Sequence, residues 1–137
     1  RHECTHALLH GALPVVPLWL DEGIAKYFEV PAGQRAFDHP YFEDLKWKWS
    51  LRLGMVRSIE SLEQREDLSQ MDGADYRYSW AWVHFMLHGP APAHNALVEY
   101  LACCQRSTPP IKLSARLAQV VPNPTDQMIQ HFRHWQR

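Results

Sequence analysis

Residues Tyr76–His88 read YRYSWAWVHFMLH, and how this stretch is read decides the fold. Apolar and aromatic side chains occupy nearly every direction of a helical wheel, and Gly89-Pro90 follows as a stop signal. A helix with no polar face has to be enclosed by other elements. The segment is therefore expected to be the hub of the core, with Trp80, Trp82 and the earlier Trp19 as its large anchors.

Working outward toward the C-terminus, Ala93–Gln105 carries Leu97, Val98, Leu101 and Ala102 on one stripe, which predicts a second packed helix. A loop through STPP, a short helix near Leu113–Gln119 and a final helix after Asn123-Pro124 complete this side. Toward the N-terminus, a helical turn is expected at Ser61–Arg65. Tyr41–Leu53 carries Phe42, Leu45, Trp49 and Leu53 at helical spacings and meets Gly54. VPAGQRAFDHP reads as loop. Pro17 is placed to open a helix that runs to Phe28 or Glu29, because a proline at the first turn gives up no needed N–H. Before it, ALPVVP is a connector, since two prolines three apart forbid a regular helix. Arg1–His10 contains no breaker and ends at Gly11, so it reads as the first helix. No stretch alternates as a strand does. The expected class is mainly α, with residues 1–137 forming a single helical domain.

Composition excludes several functions. The 137 residues are 46% apolar and 21% charged, which suits a globular chain with a real core. Fourteen basic against fifteen acidic residues give a net charge of -1, so no nucleic acid or anionic membrane is implied as a partner. The local run KWKWSLR, with Lys46, Lys48 and Arg52 around Trp47 and Trp49, reads as a half-buried helix with solvated lysines. The longest apolar run, ALLHGALPVVPLWL, is interrupted by His10, Gly11, Pro14 and Pro17 and cannot span a membrane. Cys4, Cys103 and Cys104 cannot build an even disulfide framework and contain no C-x-x-C pair, so they read as buried free thiols.

The chemistry is concentrated in the first six residues, RHECTH. On a helix, positions i and i+4 lie one turn apart on one face, so His2 and His6 can aim their rings at one point, with Glu3 beside them. Neutral imidazole is a good zinc ligand, and a carboxylate not bound to the metal can take a proton from water. The composition alone would produce this pattern in roughly three of a hundred such chains, so a third ligand is required to decide. A distant histidine of the extended metzincin motif is excluded, because Leu9 and Ala12 stand where that motif needs Gly and His. A glutamate on a second helix remains. Glu22 fits, since fifteen residues separate it from His6, enough to end one helix and return along another. Asp21, about 100 degrees away around the helix, and Glu29, two turns further along, are the local competitors.

HECTH followed by PLWLDEGIAKYFE resembles the gluzincin metallopeptidases, whose pattern is H-E-x-x-H and then W-L-x-E-G-x-A-x-Y. YRYSWAWVHFMLHG is similar to the Y-x-x-S-W-A-x-V-H-F-L stretch of an uncharacterised bacterial gluzincin-like family abundant in planctomycetes, and SIESLEQ resembles the segment that precedes it there. The likeness covers most of residues 1 to 90. It departs in a shorter spacer between His6 and Glu22 and in the absence of the sheet that ordinarily precedes the motif. The chain also lacks an initiator Met and opens one residue before the first histidine, which suggests a catalytic domain shortened at its N-terminus. The resemblance implies that His2, His6 and Glu22 bind Zn2+, that Glu3 is the general base, and that Tyr76 offers a phenol to the oxyanion, with Tyr78 as the alternative.

The expected function is zinc-dependent hydrolysis of a peptide or protein substrate. The rival is a catalytically inactive helical binding or scaffold domain that retains the zinc site. Glu3 favours the enzyme, because a structural zinc site needs no free carboxylate and ordinarily closes its fourth position with Cys or His. Of the other histidines, His10, one turn beyond His6, could touch the edge of the site, but it reads first as a helix C-terminal residue favoured by the helix dipole. His84 reads as a hydrogen-bonded core residue, and His88, His94, His131 and His134 as superficial.

Overall fold

A computed structural model describes residues 1–12, 16–50, 56–106 and 111–135, with the backbone alone for 46–50. Eight α-helices make up the described chain: α1 (His2–Ala12), α2 (Leu18–Phe28), α3 (Pro40–Ser50), α4 (Ile59–Glu63), α5 (Gly73–His88), α6 (Ala91–Gln105), α7 (Leu113–Val120) and α8 (Pro124–His134). Short 3₁₀ turns occupy Ala32–Gln34 and Leu68–Gln70, and no strand occurs among the described residues. The protein is mainly α, as its sequence predicts. The expected extension of α3 through Leu53, half of the ALPVVP connector, the side chains of KWKWSLR and the STPP loop lie outside the described residues.

Helix α5 is the hub: α2, α3, α4, α6 and α8 all pack against it. Its residues Tyr78 through Met86 are all buried, and Trp19, Trp80, Trp82, Phe85 and Phe132 form the large inaccessible centre of the core. α5 begins at Gly73, three residues before the predicted start. Asp72 accepts from the Asp75 N–H and Asp75 accepts from the Asp72 N–H, a reciprocal cap that allows the helix to start on a glycine. Asp75 is 1% exposed and also receives Arg57 Nη1 at 3.1 Å and Arg65 Nε at 3.0 Å, so the chain flanking α4 is pinned to the start of α5. The Ser58 cap likewise starts α4 at Ile59, two residues ahead of the predicted turn.

Two readings of burial change. The inward stripe of α6 is Ala93, Ala96, Leu97, Tyr100 and Cys104, while Val98 is 51% exposed. The helix lies against α5 and α7 together, and that pair selects a stripe rotated from the one suggested by its bulkiest residues. Only Cys104 is a buried thiol; Cys103 is half-buried and Cys4 exposed.

Helix α2 lies between α1 and α5 and carries Asp21 and Glu22, two of the candidate site residues. It buries Trp19 through Ala25 and Tyr27, so even its acidic residues are enclosed. Gly23 makes this approach feasible. A Cβ there would stand 2.6 Å from the Ser79 carbonyl oxygen and 2.9 Å from Val83 Cγ2, distances no packed side chain tolerates. Pro17, in extended conformation, starts α2 as expected. α1 runs through Gly11 to Ala12 and fully buries none of its residues; Leu9 packs partly buried against the core, and polar contacts to α2 add to its attachment.

Candidate metal centre

Positions 2, 6 and 10 of α1 form a ladder of three imidazoles one helical turn apart, and α2 presents Asp21 and Glu22 to it. Glu22 is 6% exposed; its Oε2 lies 3.2 Å from His2 Nε2 and its Oε1 lies 3.3 Å from His6 Nε2. The two imidazole Nε2 atoms are 3.0 Å apart. Three donor atoms from two helices thus converge on one small space.

The three side chains are grouped so that they could hold a metal ion. Four ligands placed tetrahedrally at about 2.0–2.1 Å from zinc stand about 3.3 Å from one another. The closest approaches are comparable, 3.0 Å between the two imidazoles, 3.2 Å from His2 to Glu22 Oε2 and 3.3 Å from His6 to Glu22 Oε1, the glutamate turning a different oxygen to each ring. Electrostatics point the same way. Asp21 and Glu22 are adjacent buried carboxylates, and among the described residues their ion-pair partners are histidines, with no lysine or arginine. Buried negative charge is costly, and a divalent ion held by these side chains would offset it.

The structure separates the three acidic candidates. Glu22 is at the donor triangle. Glu29 Oε1 sits 3.8 Å from His2 Nδ1, on the opposite edge of that ring, and also faces Lys26 Nζ at 3.4 Å, so it does not converge with the other donors. Asp21 meets the histidines from another side: Oδ1 accepts from His6 Nδ1–H at 2.8 Å and Oδ2 accepts from His10 Nε2–H at 2.8 Å. His10 is therefore held by a carboxylate at the edge of the site, so of its two sequence readings the contact with the site, rather than the helix end alone, accounts for it. Burial acts to lower the His6 pKa, but its bond to Asp21 and the charges of Asp21, Glu22 and Glu3 outweigh it, leaving the ring above its ordinary value.

An open cavity of about 690 Å³ stands over the triangle, lined by His2, Glu3, His6, Glu22, Lys26 and Tyr76 among others. Glu3 is exposed there, one residue beyond His2 on α1, with its carboxylate free of any ligand role in the triangle. Tyr76 reaches the same cavity from the first turn of α5. Tyr78 does not line it and is 3% exposed in the core. Desolvation, helped by the charge of Glu22, raises the Tyr76 pKa, so its phenol keeps its proton. A second hollow of about 470 Å³ lies on the other flank of α1, lined by Leu8, Leu9, Ile24 and Phe28, and lacks any comparable convergence of ligands.

Elsewhere the histidines depart from their sequence reading. His84 is fully buried, as expected, donating from Nε2 to the Ala36 carbonyl at 2.9 Å and accepting at Nδ1 from His131 at 3.0 Å. His131 and His88 are not superficial: His131 packs on Phe132 and Trp135, and His88 Nε2 accepts from the Tyr27 hydroxyl at 2.7 Å. His94 and His134 are exposed, as predicted.

Set beside known proteins, the chain matches no family profile, no curated protein and no solved structure.

Proposed function

We propose that this chain is the helical part of a zinc-dependent peptide hydrolase of gluzincin type. The observation that carries the reading is the convergence of His2, His6 and Glu22 at 3.0 to 3.3 Å, with a free glutamate and a tyrosine facing the same cavity. His2, His6 and Glu22 would hold the ion. When bound there, zinc supplies Lewis acidity, which makes a water acidic near neutral pH and draws charge from a carbonyl oxygen.

The remaining work falls to the chain's own residues. Glu3 takes a proton from the attacking water and returns it to the leaving amine, a role suited to a carboxylate beside the ligands but outside their triangle. Tyr76 donates its phenolic proton to the oxygen on which negative charge develops, an interaction stronger in the transition state than in the ground state. The substrate is a peptide or an unfolded protein segment, for which the open cavity leaves room.

The test is Glu3→Gln in zinc-loaded protein, assayed on an unstructured polypeptide. The amide fills the same space without accepting a proton. Zinc content should be unchanged while hydrolysis falls about 10²–10⁴-fold. Turnover within tenfold of wild type would remove Glu3 from the role of base, and loss of zinc alone would make it a ligand.

A further inference from the structure

We infer that Asp21 is a positioning residue for the metal site, fixing the orientation and tautomer of the His6 ring. The geometry stands on its own; its consequence for metal binding rests on the zinc reading.

An ionised carboxylate only accepts hydrogen bonds. With Asp21 Oδ1 at 2.8 Å, His6 Nδ1 must carry the ring proton. The bare lone pair is then on Nε2, the atom that stands 3.0 Å from His2 Nε2 and 3.3 Å from Glu22 Oε1. The opposite tautomer would aim an N–H at the donor triangle and leave no ligand there. One carboxylate thus decides which nitrogen faces the site.

Asp21 is itself constrained. Its second oxygen accepts from His10 Nε2–H at 2.8 Å, so the carboxylate is gripped by two rings of one helix and cannot swing without losing a bond. It is 7% exposed, and the His6 side chain it holds is 14% exposed, so that bond is shielded from water, whereas the bond to the 62% exposed His10 is not. His2 has no such orienter: Glu29 Oε1 is 3.8 Å from its Nδ1, beyond hydrogen-bond length, and that nitrogen is buried without a partner. The two histidines therefore differ, His6 held from behind and His2 held only through the triangle.

Asp21 also ties α1 to α2, and α1 fully buries no residue of its own. A docking role alone would weaken the site too, so the test separates docking from orientation. Histidine ring 15N shifts would be recorded on metal-free protein, and zinc affinity by chelator competition, for wild type, Asp21→Ala, Asp21→Asn and His10→Ala, with folding checked by circular dichroism. In wild type the His6 proton is expected on Nδ1. Asp21→Ala should shift it toward Nε2 and lower zinc affinity about 10–100-fold, whereas His10→Ala, which cuts a tie between the same helices, should cost less than about threefold. Asp21→Asn, whose amide oxygen still accepts, should recover the wild-type tautomer and part of the affinity.

A His6 proton on Nε2 in wild type overturns the inference even if every variant unfolds. So does an unchanged tautomer in Asp21→Ala, or a loss in His10→Ala equal to that in Asp21→Ala, which would make the carboxylate a docking contact only. If wild type binds no zinc, the proposed function fails while the ring shifts still decide the role of Asp21.

Discussion

Two positions apart on α5, Tyr76 lines the cavity above the histidines and Tyr78 lies in the core, because successive helical residues turn by about 100 degrees and α5 is enclosed on all but one end. The neighbouring Lys26 ammonium is 5.8 Å from the Tyr76 ring and acts to lower its pKa, but desolvation and then the Glu22 charge outweigh it and raise it, so the phenol keeps its proton. Tyr76→Phe should lower kcat about 10²-fold with KM nearly unchanged, the mark of a group that acts in the transition state. Tyr78→Phe should spare kcat and affect only stability. The reverse order of effects in steady-state kinetics would transfer the role to Tyr78. At this scale the sequence was informative where a residue's partner is fixed by helical spacing, as for His2 and His6. It left alternatives open where the partner comes from another element, as for His10, whose carboxylate lies on α2.

α2 is the element on which the site depends, because it faces α1 with its acids and α5 with Gly23. The W-L-D-E-G segment has a physical reading at each position: Trp19 and Leu20 are fully buried, Asp21 and Glu22 meet the histidines, and Gly23 lets the helix close on Ser79 and Val83. Gly23→Ala should force α2 away from α5, cost about 1–3 kcal/mol in a denaturant melt, and weaken zinc binding through the displaced Glu22. Unchanged stability together with unchanged affinity would show that the close approach is not what seats Glu22. Helix existence was legible along the chain because prolines and glycines punctuate it. The starts were less so, since Ser58 and the Asp72–Asp75 pair begin α4 and α5 earlier than the apolar periodicity does. The face of α6 was illegible, because which stripe turns inward depends on two neighbouring helices.

Across the molecule, a line of hydrogen bonds joins the loop at Ala36, His84 on α5 and His131 on α8, with Trp135 also donating to the Ala36 carbonyl at 2.6 Å. Burial, opposed by the bond to Ala36 and reinforced by neighbouring His88, His131 and His39, lowers the His84 pKa to about 3; burial and then His88 lower that of His131 to about 4. Both rings are neutral in the fold yet take protons near 6.5 in the unfolded chain. Their contribution is therefore intact above about pH 6.5 and is lost progressively as pH falls toward the folded values. For a fully buried ring this costs about 2 kcal/mol at pH 5, with the more accessible His131 adding less. In chelator-treated protein, so that metal release does not contribute, the melting temperature should fall by about 5–10 °C between pH 8 and pH 5. A constant melting temperature would contradict the cluster's role. None of this was legible one residue at a time, since sequence assigns a histidine to a helix face but not to the neighbours that bury it. The central claim, by contrast, joins two helices through three residues that were legible in sequence, and one measurement addresses it most directly: the zinc content and affinity of the purified chain against Glu22→Ala. Wild type should hold one zinc per chain, and Glu22→Ala, still helical by circular dichroism, should lose at least about 100-fold in affinity. A wild-type chain that binds no zinc, or a variant that binds it equally well, would contradict the account.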